Sequence, residues 1–215
     1  MKTTRLAIYI LLPIMWVTAM LSTADAKAPD IHRYRGQDAF ADYYNIDSTG
    51  CEVGWAQVEI WQESSETPLK LSEQTAFVFM DVGVSDICRG LSFSRATPAG
   101  GVPLPVGAAQ ISAKSASLNA TLDLIDPDYP DSAIVSTANV SIVWAAAGEV
   151  QRQTHQNFRK TQSEILHVYT RGVSRDSNVS GSIVVDGINI TDSVGWGPAW
   201  IEQQVQGVIT ILKLH

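Results

Sequence analysis

Apolar and polar residues alternate with a period of two over most of the chain after Gly50. Such alternation puts the two sets of side chains on opposite faces of a β-strand, whereas a helix needs apolar residues three or four positions apart. Residues 117–125 show the pattern most clearly. Further strand-like runs lie at residues 55–61, 75–81, 90–95, 108–113, 138–146, 164–173, 178–186 and 205–214.

Two of these runs, residues 75–81 and 205–214, are apolar at both odd and even positions, which predicts strands buried on both faces. The second of them is expected to be a central strand that closes the fold. Asp186-Gly187 between two β-branched runs predicts a hairpin. Turn-forming residues separate the other runs, notably at 47–50, 98–105, 126–131 and 195–198.

Helical spacing is scarce and is confined to residues 199–206, which have room for one or two turns. About nine strands at this spacing predict an all-β fold, an antiparallel β-sandwich or a barrel-like variant of it. Residues 46–215 are predicted to form a single β domain. Residues 27–45 are polar, and they are predicted to be an irregular lead-in segment or a first edge strand.

The first 26 residues have the organisation of a secretory signal peptide. Lys2 and Arg5 precede an apolar run, and the small residues Ala24 and Ala26 stand where a signal peptidase recognises its substrate. Pro13 interrupts the apolar run, so a leader cleaved after Ala26 is favoured over a membrane anchor. We therefore expect a secreted, extracellular protein, or a periplasmic one in a diderm bacterium, with no stable membrane insertion after cleavage.

The charge of the chain restricts its partners. The net charge is −7, and removal of the leader makes it −8. An acidic surface repels nucleic acids and anionic membranes, so neither is an expected partner. An extracellular protein or a carbohydrate is the expected class of partner.

Cys51 and Cys88 are the only two cysteines. In an oxidising compartment, two cysteines are expected to pair. A metal site would need more ligands than two distant cysteines supply. The sequence therefore predicts a Cys51–Cys88 disulfide, and no cofactor is expected.

Four N-x-S/T sequons make the protein a candidate glycoprotein. In each, the strand register is expected to place the Asn and the Ser or Thr on the polar face. A polar strand face rich in Asn, Ser and Thr also produces N-x-S/T sequences by its composition alone. Whether these asparagines are glycosylated depends on whether the host has the glycosylation machinery. The candidate N-glycosylation sites are Asn119, Asn139, Asn178 and Asn189.

Two loops are weaker candidates for ligand contact. Asp126, Asp128 and Asp131 form an acidic loop that could hold calcium, although Asp and Pro are also ordinary turn residues. Trp196 and Trp200 flank Gly197-Pro198 and could stack on a ligand, although a Trp in a loop is more often a buried anchor.

No catalytic residue is identified. His155 lies among Arg152, Arg159 and Lys160, and His167 follows, but no nucleophile or metal motif accompanies them. A solvated hairpin loop is the favoured interpretation of this stretch. The expected function is non-enzymatic extracellular binding, adhesion or a structural role; the alternative is a secreted hydrolase whose site is assembled from distant carboxylates or histidines.

Overall fold

The computed structural model describes residues 30–67, 70–71, 75–129, 133–161, 164–191 and 195–212. Within these ranges the chain forms strands and turns, and no helix in them is long and apolar enough to cross a membrane. Nine strands have six residues or more, which confirms the predicted all-β antiparallel fold. The strands are β1 (Asp30–Ile46), β2 (Glu52–Thr67), β3 (Lys70–Leu71), β4 (Thr75–Asp86), β5 (Leu91–Ala96), β6 (Val102–Pro103), β7 (Ala109–Ile111), β8 (Ser115–Leu124), β9 (Ser136–Ala146), β10 (Gln151–Lys160), β11 (Glu164–Val185), β12 (Ile188–Asn189) and β13 (Trp196–Leu212).

The strands form one antiparallel sheet that folds over on itself. Its main order is β5-β4-β2-β1-β13-β11-β9-β8-β7. Strand β11 belongs to both layers, because residues 164–176 pair with β13 and residues 177–185 pair with β9. An isolated antiparallel bridge between Ala96 and Ile125 joins the layers again on the far side. The result is a sandwich with barrel-like joins.

The core lies between the two layers and consists of the apolar positions of the alternating strands. Val58 and Ile60 from β2 and Leu122 and Ile142 from the opposite layer are almost fully buried. Trp144 on β9 is also fully buried, and its indole Nε1–H donates a hydrogen bond of 2.8 Å to the Phe40 carbonyl oxygen in the other layer. The alternation predicted for residues 117–125 is confirmed, because Leu118, Leu122 and Leu124 are buried there.

The prediction of an irregular lead-in or edge segment is wrong for residues 30–45. These residues form β1, which pairs along its length with β2 on one side and with β13 on the other. Pairing on both sides provides hydrogen-bond partners for the backbone N–H and C=O groups of β1. A polar segment can therefore form a central strand where one or both of its faces are open to solvent. Residues 1–29, which include the predicted leader, lie outside the described residues.

Other predictions of local structure are also corrected. Residues 164–173 and 178–186 belong to one continuous strand. Residues 199–206 are strand rather than helix, and β13 begins at Trp196, inside the predicted turn. The reason is that this segment forms backbone hydrogen bonds with β1 on one side and β11 on the other. Residues 75–81 are buried on one face only, since Phe79 is 39% exposed. Residues 205–212 lie between β1 and β11, which confirms the predicted central strand. The prediction that this strand is buried on both faces is wrong, because residues 205–210 are half-buried apart from Gly207.

The predicted disulfide and the predicted hairpin are both present. Cys51 and Cys88 form a disulfide with a Cα–Cα distance of 5.2 Å. It joins the residue before β2 to a residue just after β4, at the end of the pair where Glu52 faces Asp86. The hairpin at Asp186-Gly187 links β11 to β12, and both residues have the positive φ angles, 49° and 86°, that such a turn requires.

Candidate functional site

Four long strands continue past the second layer. The buried core positions of β1 begin at Ala39, those of β2 end at Ile60, and those of β13 end at Ile201. Beyond them, β2, β1, β13, β11 and β10 form a single five-stranded layer, which we call the extension: residues 31–38, 61–65, 151–160, 164–175 and 202–210. Apart from Gly36 and Gly207, every residue of the extension is half-buried or exposed. The described part of the chain therefore leaves both faces of the extension open.

The strand register assigns each side chain to one of the two faces, because directly opposed residues in an antiparallel sheet share a face. The inner face is the one that continues the core, since Arg35 and Gln37 follow Ala39 at alternate positions. The outer face is its reverse. The polar and aromatic members of the inner face are Arg33, Arg35, Gln37, Gln62, Ser64, Arg152, Thr154, Gln156, Phe158, Lys160, His167, Tyr169, Arg171, Arg175 and Gln203.

Three rings form a row across the inner face. Phe158 and His167 are stacked, with ring centroids 3.9 Å apart and planes 8° apart. His167 contacts Tyr169 at a centroid distance of 5.8 Å. The Tyr169 ring then lies over Gly207 of the neighbouring strand, where any Cβ would collide with it. The row thus crosses from β10 to β13 as a rigid aromatic surface.

Arginines flank this aromatic row. Arg35 and Arg171 face the same residue, Val205, from its two sides, so their backbones are two strand spacings, about 10 Å, apart. The Arg171 guanidinium lies 6.0 Å from the Tyr169 ring centroid, in the range of a cation–π contact. Neither Arg35 nor Arg171 forms an ion pair with any described residue. A groove of about 540 Å³ lies beside Arg35 and the glutamines, and Arg171 is not one of its lining residues. The groove is lined by Arg33, Arg35, Gly36, Gln37, Gln62, Ser64, Tyr169, Gln203, Gln204 and Val205.

The outer face carries carboxylates instead. Asp38 faces Glu202 across β1 and β13, and Glu59 lies on β2 two residues from Trp61, which faces Asp38 from the other side. Burial, together with the negative charges of Glu202 and Glu59, raises the pKa of Asp38 to about 7, although a hydrogen bond from the Trp200 side chain opposes the shift. The outer face therefore carries a carboxyl group that changes its charge near neutral pH.

A second outer-face carboxylate behaves differently. The indole Nε1–H of Trp61 and the hydroxyl of Tyr34 both donate hydrogen bonds to Glu63 Oε2, at 3.0 and 2.7 Å. These bonds lower the pKa of Glu63, the Trp61 bond being the larger cause. Burial and the bond to Glu63 raise the pKa of Tyr34 to about 12. Glu63 therefore stays ionised at acidic pH values at which Asp38 is protonated.

We expect Asp38→Asn to stabilise the protein at neutral pH and not at pH 4. Unfolded Asp ionises near 3.8, whereas folded Asp38 holds its proton until about pH 7. Between these pH values, a rise in pH therefore lowers the free energy of unfolding of the wild type, and the Asn variant does not undergo this loss of stability. Thermal unfolding from pH 4 to 8 should show the melting temperature of the variant rising above that of the wild type. An exposed-carboxylate control, Asp123→Asn, should follow the wild type; a gap independent of pH for Asp38→Asn would contradict the expectation.

The two tryptophans singled out from the sequence have different surroundings. Trp196 is half-buried, packs against the core and meets Tyr43 edge to face at 5.2 Å, so it is an anchor. Trp200 is 37% exposed and stacks on Phe40 at 4.2 Å, on the outer face beside Asp38. The structure thus separates the pair that the sequence suggested as one aromatic surface.

The four sequon asparagines are all exposed. Asn119 and Asn139 belong to reciprocal sequons on neighbouring strands: Asn119 faces Ser141, Thr121 faces Asn139, and the Thr121 hydroxyl donates to Asn139 Oδ1 at 2.8 Å. The expectation that the Ser or Thr shares the polar face is wrong at Asn189, because Thr191 is only 2% exposed and its hydroxyl oxygen accepts the Ile183 N–H. Asn178 and Ser180 are exposed on β11.

The acidic loop is a turn in its described part. Asp126 Oδ1 accepts the Asp128 N–H at 3.0 Å, and the Asp126 carbonyl accepts the Tyr129 N–H. Both aspartates line a groove of about 480 Å³ with Trp55, Ser85, Ser92, Phe93, Ser94 and Arg95. Asp131 lies outside the described residues, so the calcium prediction stays untested. No group of three His, Cys, Asp or Glu residues suited to a metal occurs in the described ranges.

The stretch around His155 is corrected from a hairpin loop to the strand β10, all ten residues of which are exposed. Its even positions, including Arg152 and Lys160, join the inner face, whereas His155 and Arg159 lie on the outer face. The register thus separates His155 from His167, so the structure does not bring the two histidines together. Sequence reasoning missed the aromatic row and the arginines beside it; alternate positions along 167–175 carry His, Tyr, Arg, Val and Arg, which was the available signal.

No protein-family model and no curated protein matches the chain. Solved structures show three remote similarities. An acetoacetate decarboxylase-like enzyme from Sphingomonas wittichii RW1 is 9% identical over 97% of this chain and 99% of that one, with a TM-score of 0.29. A protein assigned as AttH from Nitrosomonas europaea is 12% identical over 84% of this chain and 52% of that one, with a TM-score of 0.28. The enduracididine biosynthesis enzyme MppR is 8% identical over 89% of this chain and 92% of that one, with a TM-score of 0.24. TM-scores this low support no inference about activity.

Proposed function

We propose that the protein is an exported, non-enzymatic binding protein and that the inner face of the extension is its carbohydrate-binding surface. Export rests on the signal-peptide pattern of residues 1–26, and the Cys51–Cys88 disulfide is compatible with an extracellular or periplasmic location. The sequons make it a candidate glycoprotein if its host glycosylates. The location of the binding surface comes from the fold.

One observation carries this proposal: an aromatic row lies on a sheet face that the second layer leaves uncovered. Aromatic side chains are usually buried, because burial of their large apolar area stabilises the fold. Here Phe158 is 65% exposed, and Tyr169 is half-buried with its ring over Gly207. Sugar rings present flat apolar faces that stack on such surfaces. The amides of Gln37, Gln62 and Gln203, which lie beyond the row of Arg35, Val205 and Arg171, can donate to and accept from sugar hydroxyls.

We expect Tyr169→Ala to weaken binding to immobilised oligosaccharides by about tenfold or more, because it removes the ring at the end of the row that lies nearest to the arginines and the groove. The measurement is a screen of neutral and acidic oligosaccharides by surface plasmon resonance, with folding checked by circular dichroism. Tyr169→Phe keeps the ring and should keep most of the affinity. Trp200→Ala, which removes an outer-face ring, should leave binding unchanged. Absence of binding to every oligosaccharide by the wild type would reject the proposed function.

The runner-up is a hydrolase, and the outer-face carboxylates are the observation that favours it. A carboxyl group that keeps its proton near neutral pH can act as a general acid, and an ionised partner beside it can act as a base or nucleophile. Asp38 with Glu202 and Glu59 has this combination next to Trp200. Release of reducing ends from oligosaccharides, abolished in Glu59→Gln or Glu202→Gln, would favour the hydrolase over the binding protein.

A further inference from the structure

We infer that the ligand of the inner face is an acidic polysaccharide, whose anionic groups pair with Arg35 and Arg171 while its sugar rings stack on Tyr169. This inference rests on the proposed function and names its ligand class. Three observations support it: the segregation of charge between the faces of the extension, the spacing of Arg35 and Arg171, and the chemistry of the groove beside Arg35.

Charge is segregated across the extension. Six of the fifteen Lys and Arg residues of the chain belong to the inner face, although the chain as a whole has a net charge of −7. Among the described side chains of the extension's inner face there is no Asp or Glu, although the strand register places Glu66, just beyond the extension on β2, opposite Arg33. The reverse side carries Asp38, Glu63 and Glu202. An acidic protein that collects its positive charge on one open face has a surface complementary to an anionic partner.

The arginines are placed for spaced anionic groups. Arg35 and Arg171 are about 10 Å apart across the sheet. Between them lies the short side chain of Val205, whereas the neighbouring Gly207 is covered by the Tyr169 ring. A guanidinium offers a planar fork that matches carboxylate or sulfate oxygens in two hydrogen bonds. The Arg171 guanidinium lies over the Tyr169 ring, 6.0 Å from its centroid, so a sugar that reaches this ring also meets the guanidinium.

The same features distinguish an acidic glycan from a nucleic acid. A duplex carries one phosphate charge for about every 1.7 Å of its axis, so the net negative charge of the protein repels it strongly. A polysaccharide with a charge on every sugar or every second sugar is repelled less and can place its charges at the separated arginines. Gln37, Gln62 and Gln203 add donors and acceptors for the hydroxyl groups that make up most of a sugar surface.

The test compares the wild type with Arg35→Gln/Arg171→Gln on four probes: alginate, chondroitin sulfate, dextran and a single-stranded RNA. We expect the wild type to bind alginate or chondroitin sulfate, and the double variant to bind about tenfold or more weakly. Raising the salt concentration should weaken wild-type binding more than that of the variant. Arg89→Gln, which removes an exposed arginine from the turn after β4, is the matched control and should bind like the wild type.

Each outcome decides between the two proposals. Binding to alginate or to chondroitin sulfate alone identifies carboxylate or sulfate as the anionic group. Binding to dextran that is lost in Tyr169→Ala but unchanged in the arginine variant overturns the acidic ligand and keeps the proposed function. Arginine-dependent binding to RNA in preference to both acidic glycans overturns the glycan assignment. No binding to any probe overturns both.

Discussion

Replacing Trp144 with Ala should lower the free energy of unfolding by about 3–5 kcal/mol, the range for removal of a large buried aromatic side chain. Trp144 is fully buried, and it connects the two layers because its Nε1–H donates to the Phe40 carbonyl of the opposite layer. The Ala variant loses this hydrogen bond and leaves a cavity between the layers. Within the described residues, strand pairing joins these layers at two places, through β11 and through the Ala96–Ile125 bridge. Little can therefore move in to refill the space.

Urea unfolding followed by circular dichroism measures this loss. Trp200→Ala removes the same side chain from the outer face, where it is 37% exposed, and should cost at most about 1.5 kcal/mol. Trp144→Phe keeps most of the volume but loses the hydrogen bond, so it should fall between the wild type and Trp144→Ala. This milder variant gives a measurable transition even if the Ala variant does not fold. Similar losses for Trp144→Ala and Trp200→Ala would show that Trp144 does not join the layers.

Removing the disulfide should lower the free energy of unfolding by about 4 kcal/mol. Cys51 and Cys88 are 37 positions apart, so the bridge closes a long loop that contains β2, β3 and β4. In the chain-entropy account, closure of such a loop restricts the unfolded state far more than the folded one. In the folded state the two ends are held together even without the bond, because Ile87 donates its N–H to the Cys51 carbonyl at 2.8 Å.

The comparison uses Cys51→Ser/Cys88→Ser with and without reductant. The double variant should unfold at a lower urea concentration than the oxidised wild type, and reduced wild type should match it. Reductant should not change the double variant, which controls for effects of the reductant itself. Equal urea midpoints for the oxidised wild type and the double variant would mean that the bridge adds no stability.

The candidate site could be predicted from the sequence only in fragments. Arg33 and Arg35 stand two positions apart, as do Tyr169 and Arg171, so each pair is expected on one face of a strand. Nothing in either segment shows that β13 lies between them with Val205 facing both arginines. That arrangement depends on which strands become neighbours, and residues more than 130 positions apart meet only through the topology of the sheet.

The sequence by itself determined the type of secondary structure and several local features. These are the all-β fold, the buried face of residues 117–125, the Asp186-Gly187 hairpin and the pairing of the two cysteines. These follow from side-chain alternation, turn preferences and the number of cysteines, which act over a few residues or allow one solution. Only the tertiary structure decided that polar residues 30–45 form a central strand, and that four strands continue beyond the second layer. Whether a face is covered depends on the relative lengths of strands in opposite layers, and no single strand carries that information.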